Sequence, residues 1–417
     1  MQAWGPDIHR FFVKMCTTTL AKETSSTDAT LEAYFASIHS WLPVIQEQVF
    51  RRRLSQLQHA PRAETALLFL TVSLTMTGGM GSSDDCQSQL YYLCRYLFSF
   101  LQSVLPPSLE LVQVGLVLVL YELGSARFQA ASLNIGTCAR LGYVLKLNID
   151  LQESQDYPSW AEGEERRRVW LGTYMLDRLI HQVATDFQAP HVVDKPASHF
   201  RLPVDDREWE RVPKGPFQRF FQPSFSTPLD ISVSYFAREI QGVHLLGQVQ
   251  ALQNLEDSDC FIRKFGVLDS TLIRFMEKLF EQTPGRWETL CGANAIALMS
   301  ALSLHRSRMG FGNSDQEVMS YRSEAFHTQT LSILALSSII NMVWDICSKF
   351  NAIPLGDKIS WVPLPAVICA GETALTAVWL NRLETGRPSV DYEPLRQTLS
   401  YATRTWDLAE KYLERIG

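Results

Sequence analysis

The sequence has no pair of cysteines spaced as Cys-x-x-Cys, although it contains 8 cysteines in 417 residues. Zinc fingers and zinc clusters hold their metal with closely spaced cysteines, so no such site is expected in this chain. The cysteines are scattered and most lie inside apolar stretches, a pattern typical of buried free thiols in a reducing compartment. Their positions are Cys16, Cys86, Cys94, Cys138, Cys260, Cys291, Cys347 and Cys369.

An excess of positive charge is also missing, because 38 lysines and arginines face 44 acidic residues, for a net charge of -6. Proteins that bind DNA directly usually present a basic face to the phosphates. Two arginine triplets, Arg51–Arg53 and Arg166–Arg168, stand out against this background. The acidic residues Glu162, Glu164 and Glu165 lie beside the second triplet. We therefore interpret this triplet as a solvated helix face that forms ion pairs with them, and we expect a surface role for the first triplet. DNA is therefore expected to be contacted only indirectly.

Motifs that carry chemistry are absent as well. The nine histidines are dispersed and none forms a His-Glu-x-x-His pair, while Gly78–Gly81 lacks the Lys-Ser/Thr of a phosphate-binding loop. Gly310–Gly312 follows a predicted helix and not a strand, which argues against a dinucleotide site. Asp205 and Asp206 are expected to be exposed turn residues and not an acid–base pair. We predict no enzyme activity and no catalytic, cofactor-binding or metal-binding residue.

No targeting or membrane segment is predicted. The N-terminus, MQAWGPDIHRFF, lacks the charged and then apolar pattern of a signal peptide. The most apolar run, Leu111–Tyr121, is shorter than the roughly 20 residues needed to span a bilayer, and Glu110 and Glu122 flank it. The sequence therefore predicts an intracellular chain with no membrane contact.

What the sequence does have is apolar residues at helical spacing, with 46% hydrophobic and 20% charged residues. We predict an all-α fold, an irregular multi-helix array of antiparallel helix pairs without a substantial sheet. An irregular segment is expected over Thr185–Pro228. The predicted helices are Leu31–His39 (with Asp28 as its N-cap), Val44–Gln58, Pro61–Met76, Cys86–Val104, Ser108–Leu123, Ser125–Leu147, Glu162–Ala184, Leu229–Ala251, Asp269–Gln282, Leu290–Arg308, Gln316–Phe350, Leu364–Leu383 and Tyr392–Arg415.

Four short motifs follow one another in the first half of the chain. They are Tyr34-Phe35 with Ile38-His39, Trp41–Ile45 and Phe50; Gly136 with Ala139–Gly142; Glu165–Trp170 with Leu176–Arg178; and Leu202-Pro203 with Asp205-Asp206 and Trp209. In this order they resemble the regulatory, or middle homology, domain of fungal binuclear zinc-cluster transcription factors. Two positions depart from that pattern: Leu171 replaces the usual second tryptophan, and Asp186–Pro190 replaces a usual Gly-Arg-Pro.

The resemblance implies a non-enzymatic transcription regulator that acts in the nucleus, here without a visible DNA-binding module. It further implies control of a metabolic or secondary-metabolite gene cluster and a protein partner, either a DNA-binding factor, the transcription machinery or a second copy of the chain. A small-molecule effector is compatible with it. The alternative interpretation is a metabolite-binding helical module that regulates a partner protein.

We assign residues 1–27 to an N-terminal segment, 28–228 to the regulatory domain and 229–417 to a helical half packed on it. The residues matched to the family motifs are expected to be structural. They are Arg140, Gly142, Arg167, Arg168, Trp170, Asp177, Arg178, Pro203, Asp205 and Asp206. Asp177 lies beside an apolar stripe and needs a partner there, and Arg140 on the preceding helix is the predicted one.

Overall fold

The fold is seen in a computed structural model, which divides into two compact units, 1–228 and 229–417. Each unit is described by itself. The residues described are 6–21, 26–77, 84–150, 160–184, 190–210, 222–253, 255, 258–282, 291–309, 326–355, 358–359, 361–383 and 391–417.

The first unit is built around α6 (Leu109–Gly124), which is buried on all sides. Neighbouring helices α4, α5, α7 and α8 pack against it. A helix that is apolar all round belongs in the middle of a protein, as the sequence predicts. The other helices of this unit are α1 (Pro6–Leu20), α2 (Thr27–Ala36), α3 (Glu47–Ser55), α4 (Ala63–Thr77), α5 (Asp84–Val104), α7 (Phe128–Val144), α8 (Trp160–Val183) and α9 (Asp206–Glu210), with a 3-10 turn at Ile38–Ser40.

The two ends of α6 are set by different groups. Ser108 caps the start of the helix by accepting a hydrogen bond from the Leu111 N–H at 3.3 Å. At the other end, a sharp reversal joins α6 to α7. The predicted role of Ser125 as cap of the next helix is wrong, because its own N–H still bonds the Tyr121 carbonyl of α6. The chain then turns at Ala126, which has a φ of 54°, an uncommon value for a residue with a side chain. This turn lets α7 fold back along α6.

Other helix starts were also predicted at the wrong residue. The helices predicted from Leu229 and from Asp269 begin at Tyr235 and at Ser258. The N-cap of α2 is Ser26, which accepts from the Ala29 N–H at 3.1 Å, and not Asp28. Helix α3 begins only at Glu47, because the Val44 carbonyl upstream accepts a bond from Gln113 of α6 and not from its own segment. Local propensity cannot anticipate a bond made to a distant residue.

The second unit is arranged around α12 (Cys291–Arg308), which packs against four other helices. The predicted single helix Tyr392–Arg415 is wrong, because it is two helices separated at 403–406. Trp406 is buried at that break and donates its indole N–H to the Val362 carbonyl at 2.8 Å. The remaining helices are α10 (Tyr235–Gln253), α11 (Ser258–Gln282), α13 (Phe326–Ala352), α14 (Leu364–Leu383), α15 (Glu393–Ala402) and α16 (Asp407–Ile416).

The predicted all-α class is confirmed. Sixteen α-helices are present in the described residues, and the only sheet-like pairing recorded among them is a single bridge between Arg201 and Ser224. The predicted irregular segment lacks regular secondary structure over most of its described residues, but α9 interrupts it. We call residues 190–210 the strap, since they run over α8.

Two helices, Thr330–Ala352 and Leu364–Leu383, are long and apolar enough by composition to cross a membrane. Within its window, 72% of the second is buried inside the protein, and it packs against α12, α13, α15 and α16. Such burial is typical of a core helix. The first is 33% buried and packs against α12, α14 and α15.

The six cysteines whose side chains are described are free thiols. All are buried except Cys260, which is half-buried. Burial raises the pKa of the Cys16 thiol to about 12, so it stays neutral at physiological pH. Cys86 and Cys291 lie outside the described side chains.

A glycine sets the approach of α7 to α8. A Cβ built on Gly142 would lie 2.7 Å from Cζ3 of the Trp170 ring. Tyr143 packs edge-on against the same ring, with centroids 5.1 Å apart. The indole therefore occupies the space that a side chain at position 142 would need.

We expect Gly142→Ala to lower the free energy of unfolding by about 1–3 kcal/mol, because the methyl group would overpack the buried Trp170 ring. The matched control is Gly136→Ala on the same helix, where the nearest atom, Val192 Cγ1, lies 4.0 Å from the new Cβ. That variant should gain about 0.5–1 kcal/mol from helix propensity. Urea unfolding of both variants measures the difference, and equal effects of the same sign would contradict the packing argument.

Candidate functional site

Arg168 of α8 is fully buried and connects that helix to the strap. Its Nε donates to Glu164 Oε1 at 2.9 Å, its Nη1 to Asp206 Oδ1 at 2.5 Å and its Nη2 to the Val204 carbonyl at 2.7 Å. The guanidinium also lies over the Trp209 ring, 4.2 Å from its centroid. Each of the three guanidinium nitrogens thus donates a hydrogen bond, as burial of a charge requires.

Glu164 extends the network toward the start of α8. Its carboxylate accepts bonds from Arg167 and Arg168 and from the Val204 N–H at 3.0 Å. Arg167 in turn donates to Asp150 at 3.1 Å, and Asp150 is held by three bonds from Arg201, at 2.8, 2.8 and 3.0 Å. Three arginines and three carboxylates therefore alternate, from Asp206 at one end to Arg201 at the other.

The surroundings of Asp150 favour its charged form. Burial alone would raise the pKa of Asp150, but the hydrogen bonds from Arg201 and the charge of Arg167 bring it below its usual value. The pKa of Arg167 is raised, because the attraction of Glu164 and Asp150 outweighs the cost of its burial. The prediction that this triplet is a solvated face is therefore wrong for Arg167 and Arg168, which are buried.

A separate group of contacts, which we call the clamp, lies two to three turns further along α8 than Arg168 and is formed by Asp177 and Arg178. Asp177 is 5% exposed and forms an ion pair with its neighbour Arg178. It also accepts the N–H groups of Val192 and Val193 in the strap, each at 3.3 Å. Arg178 completes the clamp by donating to the Val193 carbonyl at 2.8 Å. Burial raises the pKa of Asp177 to about 6, with Arg178 opposing that shift.

The predicted pairing of Asp177 with Arg140 is wrong. Helix α7 buries one face, which carries Ile135, Cys138, Ala139 and Gly142. Arg140 lies on the opposite face and is exposed to solvent. The position of a partner on a neighbouring helix depends on rotation about the helix axis. Sequence spacing alone did not give that rotation.

The first motif is attached to α8 through Glu165. Its Oε1 accepts from Gln113 Nε2 of α6 at 2.8 Å and from the Gln46 N–H at 3.3 Å. The Gln113 amide also donates to the Val44 carbonyl at 2.7 Å. Burial raises the pKa of Glu165, partly offset by these bonds. Glu165 therefore binds the first motif. The predicted ion pair between Glu165 and the arginine triplet is wrong.

Trp209 connects the last motif to the first. Its indole N–H donates to the Ala161 carbonyl at 3.1 Å, and its ring stacks on His39 at 6.3 Å between centroids. Burial, together with the charge of Arg168, lowers the pKa of His39 to about 3, so this ring is neutral at physiological pH. The indole thus lies in contact with both a buried cation and a neutral imidazole.

All four sequence motifs therefore meet at α8, but not every predicted residue takes part. Gly142 contacts Trp170, Pro203 is buried between Leu202 and Val204, and Asp206 pairs with Arg168 although its side chain is 42% exposed. Asp205 is exposed, as expected, and accepts the Arg207 N–H. The predicted ion pairing of the arginine triplet with Glu164 is confirmed. The sequence did not indicate that Asp150 and Arg201 join the network, or that Gln46 and Gln113 bind Glu165.

The arrangement is suited to hold segments together. The carboxylates of the network and the clamp bond arginines, a glutamine or backbone N–H groups, which leaves them engaged in structure. Among the residues that the structure describes, no group of three or more His, Cys, Asp or Glu side chains is placed to hold a metal ion. The site is a set of polar ties between α8, the first motif and the strap.

Comparison with known proteins identifies the family. The family model for the fungal specific transcription factor domain matches residues 31–282, more than half of the chain. The chain belongs to this family. The fungal transcription factor domain is a non-enzymatic regulatory domain, and α8 with its bonded strap lies within the matched range.

Curated relatives of the domain are fungal regulators. The transcription factor BOA15 of Botryotinia fuckeliana is 34% identical over 143 residues, which are 34% of this chain and 79% of that relative. The transcription factor tazR of Aspergillus terreus is 24% identical over 92% of this chain and 61% of its own length. The tropolone cluster transcription factor tropK of Talaromyces stipitatus is 26% identical over 36% of this chain and 27% of its own length. No solved structure matches the chain.

Glu122, on the central helix of the domain, is a buried carboxylate without an ion pair among the contacts recorded for it. It accepts the Tyr91 hydroxyl at 3.0 Å and the Asn134 amide at 2.8 and 2.9 Å. Burial raises its pKa from about 4.5 to about 7, and the bonds from Asn134 and Tyr91 oppose part of that shift. The folded protein therefore retains this proton over a pH range in which the unfolded chain loses it.

We expect Asp177→Ala to lower the free energy of unfolding by about 3–5 kcal/mol, because it leaves the buried Arg178 without its partner. The control Arg140→Ala removes an exposed charge and should change stability by no more than about 0.5 kcal/mol. Chemical denaturation of the two variants separates the observed pairing from the pairing with Arg140. An Arg140→Ala loss as large as that of Asp177→Ala would contradict the clamp.

Glu122 should make the stability of the domain depend on pH. Its contribution is fully present below pH 4.5 and is lost as pH rises through 7, since the folded pKa is the higher one. We expect the stability difference between wild type and Glu122→Gln to shift by about 2–3 kcal/mol in favour of the variant from pH 5 to pH 8. Thermal melts at both pH values test this, and a difference that does not change with pH would refute it.

Proposed function

We propose that this chain regulates transcription of a secondary-metabolite gene cluster in the fungal nucleus. The observation that carries the proposal is the meeting of all four family motifs on α8, inside the range matched by the family model. The names of two relatives add the biosynthetic context. One is a tropolone cluster transcription factor, and the other is a pigment biosynthesis transcriptional activator of Monascus ruber, 26% identical over 40% of this chain.

We further propose that the domain reaches DNA through a protein partner or as part of a homodimer. The charge distribution supports this. Arg167 and Arg168 form ion pairs with Glu164 in the buried network, and Arg53 pairs with the buried Glu110 at 2.9 Å. Arg51 pairs with Glu47 at 2.7 Å. Four of these six arginines are thus paired with carboxylates, so neither triplet presents three free cations to the phosphates that direct DNA binding requires.

The alternative function, a metabolite-binding module that regulates a partner protein, is favoured by one separate observation. The second unit contains an apolar cavity of about 570 Å³ lined by helices α12 to α15. This volume falls within the range of about 300–1,000 Å³ that is usual for small-molecule sites. The two functions are compatible, because a regulator of transcription can respond to a bound molecule.

The proposed function predicts that the chain, fused to a heterologous DNA-binding domain, will change expression of a reporter gene in a fungal host and that a fluorescent fusion will concentrate in nuclei. Asp177→Ala should abolish the reporter effect because it destabilises the domain, whereas the exposed Arg140→Ala should retain it. Protein levels in the same cells control for degradation. A fusion whose reporter output equals that of the DNA-binding domain alone would refute the proposal.

A further inference from the structure

The apolar cavity of the second unit is larger than packing defects usually are. Protein interiors are packed as densely as organic crystals, and voids larger than a water molecule are few. Here about 570 Å³ lies between α12, α13, α14 and α15. Side chains that surround it include Leu298, Val343, Phe350, Val362, Cys369 and Ala370.

The polar groups at the cavity are few and mostly committed. The Thr398 hydroxyl lies 3.2 Å from Asn351 Oδ1 and 3.0 Å from the Pro394 carbonyl oxygen, and these two acceptors share its single proton. Lys349 is the one charged residue in the described lining, but it is 58% exposed and its ammonium bonds Asp345 at 2.7 Å. A charged ligand would lose its hydration inside without a buried counter-ion, which is costly. The lining therefore suits a neutral and mainly apolar molecule.

Two thiols, Cys347 and Cys369, line the cavity, and the burial of both does not favour covalent capture. Burial raises the pKa of Cys347 to about 11, although the bond with Thr398 opposes the shift. The reactive form of cysteine is the thiolate, which is scarce at neutral pH when the pKa is this high. Occupancy is thus expected to be reversible.

The mouth of the cavity lies where α13 ends and α14 begins. Ile359 and Lys349 line the cavity and are exposed, while Leu298, Val343 and Val362 are buried around it. A molecule can therefore enter from solvent and be enclosed by apolar side chains. Apolar cavities of this kind hold apolar guests because water gains too few hydrogen bonds inside them.

We propose that this cavity is a binding site for a neutral, predominantly apolar small molecule held without a covalent bond. The site is formed entirely within the second unit, by residues 294–398. It does not depend on whether the chain regulates transcription, so the two proposals stand or fall separately.

The test is a fluorescence titration of the purified chain with N-phenyl-1-naphthylamine, a neutral apolar probe that emits when shielded from water. Wild type should bind it saturably at one site per chain. Ala370→Leu and Ala366→Leu, both in the lining, fill the cavity and should weaken binding at least tenfold. The matched control is Ala251→Leu, an exposed position on α10 of the same unit, which should bind as wild type does.

Circular dichroism and a thermal melt establish whether each variant is folded. If Ala370→Leu does not fold, the comparison of probe affinity with wild type is made with Ala366→Leu. Half-buried Ala366 leaves more room for the added atoms. Absence of saturable binding to wild type would overturn the proposal. So would equal affinity of wild type and the folded cavity-filling variant, since the probe would then lie elsewhere.

Discussion

The first unit depends on the neutralisation of Arg168, a cation that has no contact with solvent. A lone buried charge costs several kcal/mol, so the surrounding chain has to supply compensating groups from fixed positions. Those groups come from the same helix, at Glu164, and from the strap, at Val204 and Asp206. The irregular strap therefore has one location relative to α8, even though no ladder of backbone hydrogen bonds holds it there.

Buried polar ties of this kind specify geometry more than they add stability. Glu165 fixes the first motif to α8 by hydrogen bonds, as Arg168 fixes the last motif. The Asp177–Arg178 pair binds residues 192 and 193 of the strap. A helical array can slide or rotate when only apolar faces meet, since such faces are interchangeable within limits. Charges that must find partners remove this freedom. We infer that this constraint is what the arginines and acids of the four motifs contribute in this chain.

The sequence was sufficient to predict the helical class and most helices, because apolar residues recur at helical spacing in segments such as 86–104, and the apolar run 109–124 is too long for a typical strand. The order of the four motifs along the chain also predicted the family. The sequence did not predict how α7 is rotated, so Arg140 was wrongly assigned to Asp177. Nor could it show that Arg167 and Arg168 are buried, since Asp150 and Arg201 come from segments without helical period. Contacts between distant segments depend on three-dimensional placement, which spacing in one dimension does not encode.

The distance along the chain between Arg168 and its partners has a consequence for biosynthesis. Val204 and Asp206 are made 36 and 38 residues after Arg168. A nascent chain that ends at the C-terminus of α8 thus carries an arginine whose strap partners do not yet exist. Domains fold largely as units while they are being synthesised. The ribosome therefore has to pass Trp209 before the strap can close over α8 and neutralise Arg168.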